Sequence, residues 1–259
     1  MKTRKSSPTN GFESAPVGAA EAFTNGPVAS DTGSEQALEE VLATYGVAVK
    51  ARRRQRLPVD FKNPDTLYFV KSGLLILNSV CAGERQQPLS IFYPGDFFMV
   101  DLVPPFASAD LIAMTEADLV RIRQSSVANS PEDLRMLDKA VGKQTADMFA
   151  RSNLHIARLS ALSSESRVAA FILELGLRTG QVVNDTVTCD LPLSRNDIAD
   201  YLSLNADTLS RIMTRLKARG VVATIGRSRA IVKSIKKLCR ESPICNATMV
   251  LHGGTLPQE

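Results

Sequence analysis

The chain has 259 residues, 44% of them hydrophobic and 22% charged, with a net charge of +4, which suits about two domains that each bury a core. It holds no apolar run approaching the roughly 18 residues of a membrane helix. With only two histidines (His155, His252) and four widely spaced cysteines (Cys81, Cys189, Cys239, Cys245), the composition argues against a histidine-built metal or acid–base site. It also argues against a disulfide framework and fits a reducing cytoplasm.

Residues 1–34 are rich in Ser, Thr, Gly, Pro and Ala without an apolar period, and are predicted to be a disordered leader. The basic start (Lys2, Arg4, Lys5) is followed by polar Ser6–Asn10, where a secretory signal would need an apolar stretch. A short helix is predicted over Ser34–Val49, with Leu38, Val41 and Leu42 on one face. From Arg52 to Arg123 the pattern changes to short strands: Leu67–Val70, Leu74–Leu77, Leu89–Phe92, Leu111–Met114 and Asp118–Ile122. Gly73, Gly83 and Gly95 fall at their turns, so residues 35–129 read as an antiparallel sandwich or barrel. That β region contains no histidine, which removes the metal chemistry a jelly-roll enzyme would need.

Ser130-Pro131-Glu132-Asp133 carries a capping hydroxyl, a proline for the first helical position and two carboxylates for the positive end of the helix dipole. A helix over 130–162 follows. Leu134, Val141, Met148, His155 and Leu162 recur every seven residues, with Leu137 beside them. This stripe is expected to be the seam of a homodimer, the competing reading being a helix packed on its own sheet. A second helix is predicted over Ser164–Arg178, ending near Gly176 and Gly180. Residues 242–259 are expected to be a flexible tail.

Between Asn205 and Glu241 stand ten Lys and Arg against Asp207 and Glu241, giving +8 there and leaving −4 for the rest of the chain. A basic end on an otherwise slightly acidic protein suits a polyanion partner. The motif beneath it is specific. Ser194 can cap a short helix, with Asp197 three residues on. Ile198, Ala199 and Leu202 form its inner face, Ser203-Leu204 a tight turn, and Asn205 the cap of a second helix with Leu209, Ile212, Met213 and Leu216 inward. Two short helices at a tight turn, the second amphipathic and basic, make a helix-turn-helix within a domain over 163–241. Outward near the start of the second helix, Asp207, Ser210 and Arg211 are placed to meet base edges of double-stranded DNA: Arg can fork onto guanine, and Asp can accept from cytosine. Ser194, Arg195, Asn205, Thr208, Arg215 and Lys217 are expected at the phosphate backbone, with Arg227 and Arg229 on a hairpin wing beyond Gly220.

At these residues the chain resembles the Crp/Fnr family of bacterial transcription regulators, over about residues 36–241. The helix-turn-helix signature runs from Leu193 through Leu216, departing at Ser203, where the family prefers Gly or Ala. Phe69-x-x-x-Gly73, Gly83-x-Arg85 and Pro94-Gly95-Asp96-Phe97-Phe98 look like its effector-domain jelly roll. The resemblance implies an α+β fold: an N-terminal antiparallel jelly roll of the cyclic-nucleotide-binding kind, a long dimerisation helix and a C-terminal winged helix-turn-helix. Asp207-Thr208-Leu209-Ser210-Arg211 is similar to the Fnr and FixK branches, which implies a TTGAT-like inverted repeat as target. It also implies RNA polymerase as a partner and a role in low-oxygen or nitrogen-related gene control. Where the family holds cyclic nucleotide, this chain has Val100-Asp101-Leu102 and Ser108-Ala109-Asp110, and a carboxylate in place of a phosphate-pairing Arg repels such a ligand. The amino-terminal cysteine cluster of Fnr is missing. No cofactor and no metal are therefore expected. The alternative is a sensor gated by haem or another small molecule, with His155 as haem ligand. Cys189, just ahead of the DNA-binding module, is a candidate redox residue, with a small buried strand residue as the other reading.

Overall fold

The computed structural model describes residues 32–59, 63–80, 86–100, 103, 108–225 and 229–254. The leader up to residue 31, Cys81, the Gly83–Arg85 corner, Asp101-Leu102 and Arg227 lie outside them. Helix α1 (Thr32–Tyr45) leads into seven strands: β1 (Val47–Ala51), β2 (Thr66–Ser72), β3 (Leu75–Val80), β4 (Gln86–Phe92), β5 (Phe97–Met99), β6 (Ser108–Ala113) and β7 (Ala117–Arg123). They form two antiparallel sheets, ordered β1-β7-β2-β5 and β4-β3-β6. Alternate residues of both bury a shared core that includes Tyr68, Val70, Phe92, Phe98 and Leu111, as a half-buried strand pattern requires. Two of these strands depart from the sequence expectation. The first helix stops at Tyr45, and β-branched Val47 and Val49 pair with β7 instead of extending it. β5 was not anticipated; its three residues are all buried against β2. Gly73 adopts φ +88, and a Cβ there would lie 2.5 Å from the Glu116 carbonyl oxygen, so the β2–β3 turn needs glycine.

The short helix α2 (Gln124–Val127) precedes α3 (Pro131–Ala161), a 31-residue helix whose cap Ser130 accepts a hydrogen bond from the Asp133 N–H. Helix α4 (Ser164–Thr179), strands β8 (Gln181–Val183) and β9 (Thr186–Asp190), helices α5 (Arg195–Tyr201) and α6 (Ala206–Ala218) and strands β10 (Val222–Ile225) and β11 (Arg229–Val232) build the second domain. Its small sheet is ordered β10-β11-β9-β8. Helices α7 (Ile235–Arg240) and α8 (Cys245–Leu251) follow.

Two expectations are corrected, and the stripe on α3 bears on a third. Part of that stripe is covered by the chain itself. Leu137 is fully buried beside Leu134 and Val141 in a cluster with α1, Met148 packs on the sandwich core, Leu162 is buried, and the His155 ring stacks 4.2 Å from that of Tyr201. A seven-residue period shows that a helix has an apolar face but not which body covers it; the chain's own domains cover part of it, as in the competing reading, and leave Leu134, Val141 and Met148 half-buried. The segment after residue 241 is no loose tail up to Gly254. Met249 and His252 are buried, and α8 packs on α4 and α3. Finally, Cys239 and Cys245 are joined as a disulfide with Cα atoms 5.0 Å apart, because the corner between α7 and α8 folds the chain back on itself.

Candidate nucleic-acid interface

Helix α5 opens with a complete capping box: Ser194 Oγ accepts from the Asp197 N–H at 3.2 Å, and the Asp197 carboxylate accepts from the Ser194 N–H at 2.8 Å. Each bond satisfies a donor the first turn would otherwise leave open. Ile198, Ala199 and Leu202 are buried beneath it. The Leu204 N–H closes the turn on the Ala199 carbonyl, and Ser203 takes φ +53, a left-handed conformation costing an L-residue about 1 kcal/mol. That is the position where the family signature has Gly or Ala. Asn205 then caps α6 by accepting from the Thr208 N–H at 2.7 Å. Leu209, Ile212 and Leu216 are buried and Met213 is half-buried, so the packing fixes which face of α6 points outward.

On that outward face Asp207 and Arg211 are exposed, four residues apart, and Ser210 lies between them, half-buried. Ser210 Oγ donates to the Ala206 carbonyl at 2.8 Å and accepts from Arg195 Nη1 at 2.7 Å. Arg195 thus reaches from the first helix onto the second and places a guanidinium beside the three residues expected to read bases. The cations farther along differ in their availability. Arg215 lies 3.6 Å from Glu165, Arg219 pairs with both Glu165 and Glu241, and Arg229 pairs with Asp190 at 3.1 Å. Arg211 and Lys217 are exposed and have no ion pair among the described residues. Cys189 on β9 is only 3% exposed, and burial pushes its thiol up to about 11. That disfavours the thiolate an oxidant would attack.

Behind the interface, a buried polar junction joins the sandwich, α3 and α4. Asp96, 2% exposed, accepts from Arg178 (2.7 Å), Arg151 (3.1 Å) and Gln144 (3.0 Å). The arginines outweigh its desolvation and hold its carboxyl below the usual range. Glu174 pairs with Arg158 at 2.5 Å and accepts from the Tyr93 hydroxyl at 2.9 Å, with His252 Nε2 at 4.0 Å. Although burial opposes it, Arg158 holds the Glu174 carboxyl down at about 2. Burial likewise lowers His155 and His252 to about 4 and keeps them neutral. His155, the haem candidate, is committed here to the stack with Tyr201. In the sandwich, Asp110 is paired with Arg56 at 3.1 Å, so the carboxylate in the phosphate-pairing position already holds a cation of its own.

Sequence reasoning overlooked an ion pair that touches the interface. Arg54, in the run Arg52-Arg53-Arg54-Gln55-Arg56, binds both oxygens of Asp197 at 3.1 and 2.6 Å. The run of arginines was visible, but its neighbour 143 residues away was not.

Residues 166–241 match the family described as the Crp-like helix-turn-helix domain. The nitrogen fixation regulation protein FixK of Bradyrhizobium diazoefficiens is 30% identical over 163 residues, covering 62% of this chain and 67% of its own length. The chain belongs to the Crp/Fnr family. FixK of Azorhizobium caulinodans is 28% identical over 216 residues, 82% of this chain and 85% of that one. Among solved structures, FixK2 from Bradyrhizobium japonicum superposes with a TM-score of 0.64 at 22% identity, covering 76% of this chain and 97% of its own. That likeness bears on the fold: a β-sandwich, a long helix and a winged helix-turn-helix. This Crp/Fnr protein is thus a DNA-binding transcription regulator related to FixK and Fnr. No helix among its described residues is long and apolar enough to cross a membrane.

Proposed function

We propose that this regulator binds a TTGAT-like inverted repeat as a homodimer, with Asp207, Ser210 and Arg211 of α6 at base edges. Ser194, Arg195, Asn205, Thr208, Arg215, Lys217 and Arg229 are assigned to the phosphates, as is Arg227, which is outside the described residues. The observation that carries the reading is the exposed pair Asp207 and Arg211 on a helix whose other face is buried, with Arg195 tied to Ser210 beside it. Cytosine and guanine edges match an exposed carboxylate and guanidinium one turn apart, and the helix-turn-helix frame presents both on the outward face of its second helix. The relatives' names support control of nitrogen-related genes. The Asp110–Arg56 pair supports a sandwich that works without cyclic nucleotide, and the sequence before Cys81 has no cysteines for an iron–sulfur site. RNA polymerase is the expected partner of such a regulator.

A dimer seam is placed on α3 about a quarter-turn round the helix from the half-buried stripe. There Phe149 and Ile156 are 69% and 60% exposed, seven residues apart, and Gly142 has open space where a side chain would be. Exposed apolar residues one heptad apart flanked by a small residue suit a close helix–helix contact. Two copies paired there would offer two α6 helices to half-sites about 34 Å apart.

Selection of bound duplexes from a random pool tests the reading. Recovery of an inverted repeat with TTGAT-like arms supports it, and recovery of no palindrome rejects it. Ile156→Lys should convert dimer to monomer by light scattering and weaken palindrome binding, whereas an unchanged mass would reject this seam.

A further inference from the structure

We propose that the arginine turn Arg52–Arg54 of the N-terminal domain is a second DNA-binding element, which meets backbone phosphates beyond the bases reached by α6. The inference rests on the DNA-binding reading above and extends it to a domain outside the winged module.

Four independent features place it there. The first is charge. Arg52, Arg53, Arg54 and Arg56 are all exposed, and Arg52 and Arg53 have no ion pair among the described residues. Two guanidiniums held in water beside each other repel, so a surface that retains them suits an anion with several charges.

The second is position. Arg53 Nη2 donates to the Pro192 carbonyl at 3.4 Å, and Arg54 makes its two-pronged bond to Asp197. The same Asp197 carboxylate accepts from the Ser194 N–H. The turn is thereby fastened against the segment 192–197, which contains Ser194 and Arg195, the side chains expected at phosphates. The arginine turn thus lies against the start of α5, next to Arg195 in the chain.

The third is rigidity, and it includes a strained residue. Arg54 has φ +66, an unusual conformation for a long side chain and one that costs energy in a turn where Gly or Asn would be relaxed. It is held there by its N–H donating to the Ala113 carbonyl at 2.7 Å and by the Asp197 bond. The strain maintains a geometry in which Arg54 grips α5 while its neighbours Arg52 and Arg53 have no carboxylate partner among the described residues.

The fourth is the cleft beside the turn. It is lined by Lys50, Arg52, Arg53 and Arg54 with Glu116 and Asp118, and Lys50 is drawn to Asp118 at 3.8 Å. Cations outnumber carboxylates there, so a polyanion is drawn to the turn. A small phosphate ligand would need the guanidiniums to converge on one point, and Arg54 and Arg56 are instead turned away to their own carboxylates. A linear array of phosphates fits two adjacent arginines without carboxylate partners better.

The test uses the full-length protein and two duplexes with the same palindrome, one of about 20 base pairs ending at the outer edges of the half-sites and one of about 45 with flanks. Binding is titrated by fluorescence anisotropy over a salt series, for the wild type and for Arg52→Ala/Arg53→Ala; both residues are exposed, and an unchanged melting temperature confirms the fold. The variant should lose about tenfold or more on the long duplex, and its salt slope should shrink by about 3–4, from two cations in each of two subunits. On the short duplex it should match the wild type within about twofold. Equal affinity of variant and wild type on both lengths overturns the proposal, as does a loss of the same size on both. A wild type that ignores the palindrome on the short duplex as well strikes the DNA reading itself, a result distinct from loss of the flank effect alone.

Discussion

Arginine serves opposite ends in two parts of this molecule. At the junction behind α4, Arg158 is 1% exposed and paired with Glu174, and Arg151 and Arg178 close on Asp96. On α6, Arg211 stands in solvent with no carboxylate partner among the described residues. The first group has been desolvated during folding, so its strength is spent on keeping two domains and a long helix in one arrangement. The second has kept its hydration and its donors, which a base edge or a phosphate can take up later. The same side chain thus sets shape where it is buried and paired, and recognition where it is exposed and unpaired.

Substitutions at the two places should therefore fail in different assays. The largest effect is expected for Glu174→Ala, which leaves Arg158 charged and unpaired in the interior. Unfolding in urea should show a loss of about 3–5 kcal/mol, and a loss below about 1 kcal/mol would mean that the junction does not hold the fold. Acid should act on the same place. His155 and His252 are lowered from about 6.5 to about 4, and Glu174 to about 2. Folded values below unfolded ones mean that the unfolded chain takes up more protons. The histidine contribution is thus complete above pH 6.5 and lost as pH falls toward 4, and the Glu174 contribution is lost between about 4.5 and 2. Stability to unfolding should fall on acidification through the first window, by a few kcal/mol in all, and the melting temperature should fall with it. His155→Gln/His252→Gln should flatten that fall; an equally steep fall in the double variant would assign it elsewhere.

On the exposed side, Arg211→Ala should leave melting unchanged and cost about 1–3 kcal/mol on the palindrome, with discrimination relaxed at one position. Equal losses on palindromic and scrambled duplex would make Arg211 a phosphate contact. The smallest effect is expected at Ser194, where the two roles meet, since its hydroxyl caps α5 beside the phosphate-facing side chains. Ser194→Ala should cost about 1 kcal/mol of stability, and a drop in duplex affinity with no change in melting would show that the cap is not its main use.

The division between these regions also explains what could be read from the sequence. Local grammar was legible. Ser130 with Pro131, Ser194 with Asp197, and Asn205 with Thr208 announced three helix starts, and all three caps form. The reading face of α6 followed from the same grammar, because once Leu209, Ile212 and Leu216 point inward, Asp207 and Arg211 must point out. What spacing could not supply was the identity of distant neighbours. The stripe on α3 was visible, but not that Tyr201 and the sandwich cover part of it. The arginine run was visible, but not Asp197. Glu174 and His252 looked like unremarkable positions, in a helix and a tail, until folding brought them to Arg158 and Tyr93. Short elements such as β5 and α8 carry too few residues for a period to emerge and are set by what they pack against.

The central claim is that α6 reads sequence. It is tested most directly by titrating the full-length protein at about 0.15 M salt with a TTGAT-armed palindrome and with a scrambled duplex of equal length and composition. The account predicts a preference of about a thousandfold or more for the palindrome, reduced toward unity in Arg211→Ala. Equal affinity of the wild type for both duplexes would contradict it.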